Sequence, residues 1–472
     1  MTEPSSGHQL KKELRLPDLV QMQILLVVGV SWLGIAARQG GVHLVFWIAA
    51  ILTLFLPSAA VVTYCVQIWP EEGGVYEWTR HAFGPVAGFL CAWNFAIWAL
   101  LLVSGIGIQT ATSLSYSLGP AYAWIKESKA VINILNVSIF ALILVVCIVG
   151  LKVGKWVAHF GTFTLMLVYV LLIVLLFYHP GATAAHPHHA PQTPFSLAIG
   201  LPMLSLLSLN LFSKMALGGL TGLEQIAVFA GEIKNAASAI WKSAWIAAPI
   251  IALVFILGTG SILTYIPADK VDLNGPVQQI LAAAFSGRTT GTGIDWGLML
   301  GRAAILAIAL NIIASFTLVV AATSRLPMVA GWDKILPDWF TKVDPRYGTP
   351  VRSIVTIVVL AFIACIAATY GTGAQEAFQL IAVTGTVVYN IYFGMMLLIP
   401  LTAGSRFGKP PSLWIRLAAF SGFLVTLLST VLSVFPVIDV PHPMLFGIKV
   451  TVATLATNLV GIFIYRQARR PA

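Results

Sequence analysis

The chain has 472 residues, of which 58% are hydrophobic and only 9% charged, with a mean hydropathy of +0.90. That balance excludes an ordinary soluble enzyme and points to a polytopic membrane protein. The formal net charge is +10, yet no basic cluster accompanies an RNA- or DNA-reading motif, so a nucleic-acid partner is not expected. Cys65, Cys91, Cys147 and Cys365 all fall inside apolar runs and read as small core hydrophobes rather than disulfides or metal ligands.

Residues 1–17 are polar, with Lys11, Lys12 and Arg15, and the apolar run behind them lacks a small-residue cleavage signature. The pattern predicts a retained first helix. Apolar stretches long enough for about 30 Å of hydrocarbon follow. The expected spans are 18–38, 44–68, 85–117, 131–150, 154–178, 198–230, 236–264, 297–325, 351–370, 376–400, 412–435 and 442–465. Twelve spans place both termini on one side. With this arrangement nineteen of the 27 Lys and Arg residues fall on the terminal side, and six on the other: Arg38, Lys126, Lys129, Lys270, Arg288 and Arg302. Because positive charge stays cytoplasmic, both termini are expected inside, in a cell-membrane protein.

Two spans are interrupted. The first contains Val28-Gly-Val-Ser-Trp-Leu-Gly-Ile-Ala36, and the sixth contains Gly218, Gly219 and Gly222 with Glu224 just beyond. In hydrocarbon an unwound backbone is tolerable only against protein or a watery cavity, so either stretch could expose main-chain groups to a polar solute. A kinked glycine-rich helix crossing would explain one such stretch. One interruption in each half is instead the mark of an inverted-repeat transporter.

Between the second and third spans runs Pro70-Glu-Glu-Gly-Gly-Val-Tyr-Glu-Trp-Thr-Arg-His-Ala-Phe-Gly84, followed by Gly88-Phe-Leu-x-x-Trp93. Gly73 and Gly74 permit a tight turn, while Glu71 and Glu72 could cap a helix or accept from basic residues. The order of these residues resembles the loop after the second span of the amino acid–polyamine–organocation transporters. Thr221-Gly-Leu-Glu, continued to Gly231-Glu-Ile-Lys-Asn235, resembles that family's broken sixth helix and the turn below it. Ser324-Arg-Leu-Pro through Pro350 resembles its eighth-to-ninth loop, so the likeness covers roughly residues 17–400. A weaker local likeness, through Glu71 to Trp78 and the Ile266-Pro pair, is to glutamate–aminobutyrate exchangers.

The resemblance implies an all-α membrane protein with twelve transmembrane helices and an inverted five-helix-repeat core in which helices 1 and 6 are broken. It divides the chain into a cytoplasmic segment (1–17), the ten-helix core (18–400), peripheral helices 11 and 12 (401–466) and a cytoplasmic tail (467–472). It further implies that substrate carboxylate meets N–H groups of the first break and substrate ammonium meets carbonyls of the sixth, as helix-end dipoles favour. The motif positions are Ser31, Trp32, Leu33 and Gly34 in the first helix and Gly218, Gly219, Leu220 and Thr221 in the sixth. Two departures stand out. Bulky Trp32-Leu33 replaces a small residue at the first break, and Gly218 stands where several relatives carry a gate aromatic. The bulk could have moved across the pocket, as a packing swap or as a substrate preference.

Further polar residues lie within spans. Lys214 could snorkel to the outer surface or line the vestibule. Glu224 could make a structural hydrogen bond or take part in proton coupling. Thr164, with Thr162 as the alternative register, occupies the place of a lysine that substitutes for sodium in proton-dependent relatives; its hydroxyl could bond the preceding turn, hold water or offer an oxygen to sodium. Asn311 and Ser315, four apart, share one face of the eighth span and could line a substrate or ion chamber or bond another helix. Asn94 has the same ambiguity. His186, His188 and His189 sit in a proline-rich outer loop that reads as a connector, although a metal could gather them.

The expected function is secondary transport of amino acids or related amines by alternating access, with an exchanger as the preferred form and proton or sodium symport as alternatives. A membrane receptor or structural protein is the reading from another class. No nucleophile elbow, zinc-binding His pair or phosphate loop occurs, so no enzyme, cofactor or metal site is expected.

Overall fold

A computed structural model describes residues 14–69, 73–178, 200, 202–285, 295–329, 338–369, 374–402, 409–435 and 442–468. The backbone is helical almost throughout, as it must be where no water can satisfy N–H and C=O groups. The first half contains α1 (Leu16–Val27), α2 (Val30–Ala37), α3 (His43–Ala50), α4 (Leu56–Ile68), α5 (Val75–Phe83), α6 (Pro85–Ser104), α7 (Ile106–Leu118), α8 (Lys129–Val149) and α9 (Leu151–Val174). The second contains α10 (Leu206–Leu220), α11 (Ala236–Tyr265), α12 (Pro276–Phe285), α13 (Trp296–Val329), α14 (Asp338–Thr341), α15 (Val351–Thr369) and α16 (Ala374–Thr402). Then come α17 (Leu413–Leu432) and α18 (Pro443–Ala468).

Among the described residues, ten helical stretches are long and apolar enough to cross a membrane, and the bent pair α1–α2 makes eleven. The expected twelve is thereby corrected. The ninth expected span is α15, whose apolar stretch Val351–Ile366 falls in the shorter class. The helix itself continues to Thr369, 19 residues or about 28 Å at 1.5 Å per residue, and the side chains from residue 367 on lie outside the described ones.

Each irregularity has a local cause. Pro57 cannot donate to the carbonyl four residues earlier, and α3 passes into α4 through the π turn Ile51–Phe55. The Thr53 carbonyl accepts instead from the Ser421 hydroxyl at 2.9 Å, which fastens α17 to this span. The third span breaks at Gly105, where the Gly107 N–H donates to Asn136 Oδ1 of α8 at 2.9 Å. A Cβ on Gly107 would lie 2.4 Å from that oxygen. The expected turn at Gly73-Gly74 is present, with φ of +109° and +51°. Glu71 and Glu72 lie outside the described residues, as do His186, His188 and His189.

α1 packs on α9, α11 and α13, while α2 packs on α10, α11 and α12. The two parts of the first span thus belong to opposite ends of the bundle. α18 docks on α6 through a reciprocal amide pair: Asn94 Nδ2 donates to Asn458 Oδ1 at 2.8 Å, and Asn458 Nδ2 to Asn94 Oδ1 at 3.2 Å. Asn94 is therefore an interhelical fastener.

Candidate functional site

The first break is narrow. Val28 (ψ 91°) and Gly29 (ψ 124°) are extended, and the chain bends by 46° between α1 and α2. The end of α1 leaves carbonyls and the start of α2 leaves N–H groups without partners from an adjoining turn. Ser31, Trp32, Leu33 and Gly34 lie past this point, within α2. Only part of that set faces the sixth span. Leu33 is fully buried over Gly258, and Gly34 faces Pro276 of α12. Ser31 and Trp32 are half-buried.

In the sixth span Gly218, Gly219 and Leu220 remain helical, and the unwound residues are Thr221 (φ −105°, ψ 167°) and Gly222 (φ +118°). The opening expected around Gly218 and Gly219 therefore sits just beyond them. Thr221 is in the opening; its hydroxyl donates to the Leu217 carbonyl. Beyond it the chain continues as the 3-10 helix Leu223–Glu232. The two breaks meet directly: a Cβ at Gly222 would be 3.3 Å from the Leu26 carbonyl oxygen at the end of α1.

Gly218 and Gly219 provide clearance for two indole rings. A Cβ on Gly218 would come within 2.3–2.4 Å of Trp32 Cη2, Cζ2 and Cζ3, and one on Gly29 within 2.7 Å of Trp32 Cδ1. The Trp32 ring is therefore held between the glycines of both breaks. A Cβ on Gly219 would lie 3.0 Å from Trp47, whose ring stacks on Phe255 at 4.4 Å and whose Nε1 donates to the Thr259 hydroxyl at 3.0 Å.

Beside the first break, α13 and α9 bring polar groups together. The Ser315 hydroxyl donates to the Leu25 carbonyl at 3.2 Å, and Asn311 Nδ2 to the Gly161 carbonyl at 3.3 Å. The Thr164 hydroxyl donates to the same Gly161 carbonyl at 2.9 Å. Thr162 instead reaches α1, donating to the Gln21 carbonyl at 3.0 Å. The shared face of Asn311 and Ser315 is thus spent on carbonyls of two neighbouring helices. Gly161 allows the close approach, since a Cβ there would be 2.4 Å from Ala314 Cβ.

Glu224 is buried and lies beside the sixth break. One of its carboxylate oxygens accepts from the Tyr389 hydroxyl of α16, and Oε2 accepts from the Gly222 N–H at 3.1 Å. Gln225 Nε2 donates to the Tyr389 oxygen at 3.5 Å. Trp98 packs on Tyr389 with ring centroids 4.6 Å apart. Gln225 Oε1 and the Tyr392 hydroxyl are buried without a hydrogen-bond partner among the described residues. Sequence reasoning missed Tyr389, Gln225, Tyr392 and Trp98, because nothing local marks a tyrosine 165 residues away as the partner of Glu224. Lys214 lies further along α10, with Nζ 3.5 Å from the Phe435 carbonyl.

At the α1 N-terminal end polar pairs join neighbouring elements. Arg325 Nε contacts Glu232 Oε1 at 2.6 Å, with both side chains buried, and His159 Nε2 lies 2.8 Å from Asp18 Oδ1. Leu14 pairs in parallel with Ile233, its N–H donating to the Glu232 carbonyl at 3.0 Å.

The sequence profile of the amino acid permease family matches residues 19–454. The chain belongs to that family. It is a secondary transporter of amino acids or related amines that works by alternating access, and it is not an enzyme. An uncharacterized transporter of Legionella pneumophila is 27% identical over 73% of this chain and 71% of its own length. The low-affinity putrescine importer PlaP of Escherichia coli is 24% identical over 77% of this chain and 76% of its own. Among solved structures, MhsT in complex with L-phenylalanine superposes with a TM-score of 0.64 at 15% identity, covering 90% of this chain and 99% of that one. That likeness establishes the fold: a multi-span core of two halves, each opening on an interrupted helix.

Proposed function

We propose that this permease binds its substrate between the Val28–Gly29 and Thr221–Gly222 breaks. The abutment of Gly222 on the Leu26 carbonyl carries the reading, since it brings a helix C-terminus, a helix N-terminus and two unwound segments into one place. The first N–H groups of α2 are the partners for a substrate carboxylate, and carbonyls at the end of α10 are the partners for an ammonium. In this reading Ser31, Trp32, Gly218 and Thr221 border the substrate. Leu33, Gly34, Gly219 and Leu220 shape the surrounding helices, while Asn311 and Ser315 brace the first break from α13.

The preferred mode is exchange. Thr164 offers no fixed ammonium, and its hydroxyl already donates to its own helix. Glu224, held by Tyr389, is the group through which proton coupling would act. The Arg325–Glu232 and His159–Asp18 pairs form the gate at the α1 end, which opens to the cytoplasm under the expected orientation. α15 packs among α6, α8, α13 and α16. α17 and α18 form the peripheral pair after the ten-helix core.

Counterflow in proteoliposomes tests this. Preloading with unlabelled amino acid or diamine is expected to drive transient accumulation of the labelled compound without an imposed gradient. Uptake that depends on a proton or sodium gradient and gains nothing from preloading would refute exchange.

A further inference from the structure

Away from the breaks, a cavity of about 430 Å³ opens where α7, the 3-10 turn Pro120–Lys126, α12 and the start of α13 meet. Its size suits a small molecule or part of a lipid. The wall is apolar, with Leu281, Ala282, Phe285 and Ile305, and two cations stand at it, Lys126 and Arg302. Among the described residues no carboxylate lines it, although Asp295 Oδ1 accepts from the N–H of lining Leu298 at 3.0 Å. Glu127 follows Lys126, and Asp272 holds the Tyr116 hydroxyl at 2.7 Å, but neither contributes to the wall. Lys126 Nζ lies 5.4 Å from the Tyr116 ring centroid, and exposed Arg302 donates to the Leu118 carbonyl at 3.4 Å. Both retain further N–H donors.

The surroundings place the opening at the membrane boundary. Tyr122, Trp124 and Trp296 are 45%, 55% and 73% exposed, and amphipathic rings of this kind sit at headgroup level. An apolar wall under two cations, ringed by interfacial aromatics, matches a phosphodiester headgroup with the first part of its acyl chain. Free phosphate would leave the wall unmatched.

We propose that this cavity binds an anionic glycerophospholipid of the surrounding leaflet, its phosphate on Lys126 and Arg302 and a chain along Leu281, Ala282, Phe285 and Ile305. Such a lipid braces α12 against α7 and α13. Because Pro276 of α12 packs on Gly34 of α2, the site is mechanically connected to the first span.

Native mass spectrometry of the full chain, released from nanodiscs holding equal phosphatidylglycerol and phosphatidylcholine with matched chains, tests the assignment. Phosphatidylglycerol is expected to be retained over phosphatidylcholine, and each of Lys126→Gln and Arg302→Gln to lower that preference by up to about fivefold. Ala282→Phe, which fills the wall and leaves the cations in place, is expected to reduce retention of both lipids. Equal retention of the two lipids, an undiminished preference in both charge variants, or loss of lipid to millimolar inorganic phosphate would overturn the proposal. So would retention unaffected by Ala282→Phe, or no retained lipid in a folded chain.

Discussion

Trp32 and Gly218 are expected to behave as one packing unit, and a double-mutant cycle makes this measurable. In Gly218→Ala the new methyl carbon would sit 2.3–2.4 Å from three atoms of the Trp32 ring. The ring cannot simply retreat, because its opposite edge is over Gly29, where an added Cβ would be 2.7 Å from Cδ1. Overpacking of this kind costs about 1–3 kcal/mol. Trp32→Ala removes the obstacle, so Gly218→Ala should cost almost nothing in that background beyond a small gain from helix propensity. The predicted coupling is therefore about 1–3 kcal/mol, well above the roughly 0.5 kcal/mol within which independent sites add. Thermal unfolding in detergent reads the stability cycle, and equilibrium binding of a counterflow-active substrate reads its effect on the site. Additive effects in both measurements would refute the claim that the indole occupies the space opened by Gly218.

Tyr389→Phe removes the donor to Glu224 and should destabilise by about 1–3 kcal/mol, the cost of an unsatisfied buried acceptor, while slowing counterflow; unfolding and transport rates that match wild type would exclude a positioning role. Arg325→Ala leaves Glu232 buried and unpaired, predicting a loss of about 3–5 kcal/mol in a denaturation assay. Joint replacement by Met and Leu should restore much of that stability. If that double variant also transported at the wild-type rate, the pair would not be a gate. Asn94→Leu should weaken docking of α18 and lower thermal stability, yet leave substrate affinity within about twofold, as expected for a site removed from the breaks.

Glycines, hydropathy and the spacing of two interruptions were enough to expect broken first and sixth helices, because backbone groups in hydrocarbon allow few alternatives. The compensation between Trp32 and Gly218 was also legible, since each departs from the resembling motif in the complementary direction. Exact break positions were not. Gly218 and Gly219 looked like the opening, but they serve as clearance for Trp32 and Trp47, whereas Gly222, with its positive φ, makes the turn. A glycine used for close packing and one used for backbone conformation look alike in sequence.

Long-range partners escaped for a different reason. Tyr389 meets Glu224, Arg325 meets Glu232 and Asn458 meets Asn94 across separations that periodicity does not encode. Asn311 and Ser315 were correctly placed on one face, yet their acceptors are main-chain carbonyls, which every residue possesses.

Substrate protection of cysteines at the two breaks tests the central claim most directly. Ser31→Cys and Thr221→Cys, made in a background whose four native cysteines are replaced, would be labelled with a small methanethiosulfonate reagent in the presence and absence of a counterflow-active substrate. Substrate is expected to slow labelling at both positions and to leave a cysteine at exposed Ala123, outside the breaks, unaffected. Continued transport by both variants with no protection at either position would contradict a binding site between the breaks.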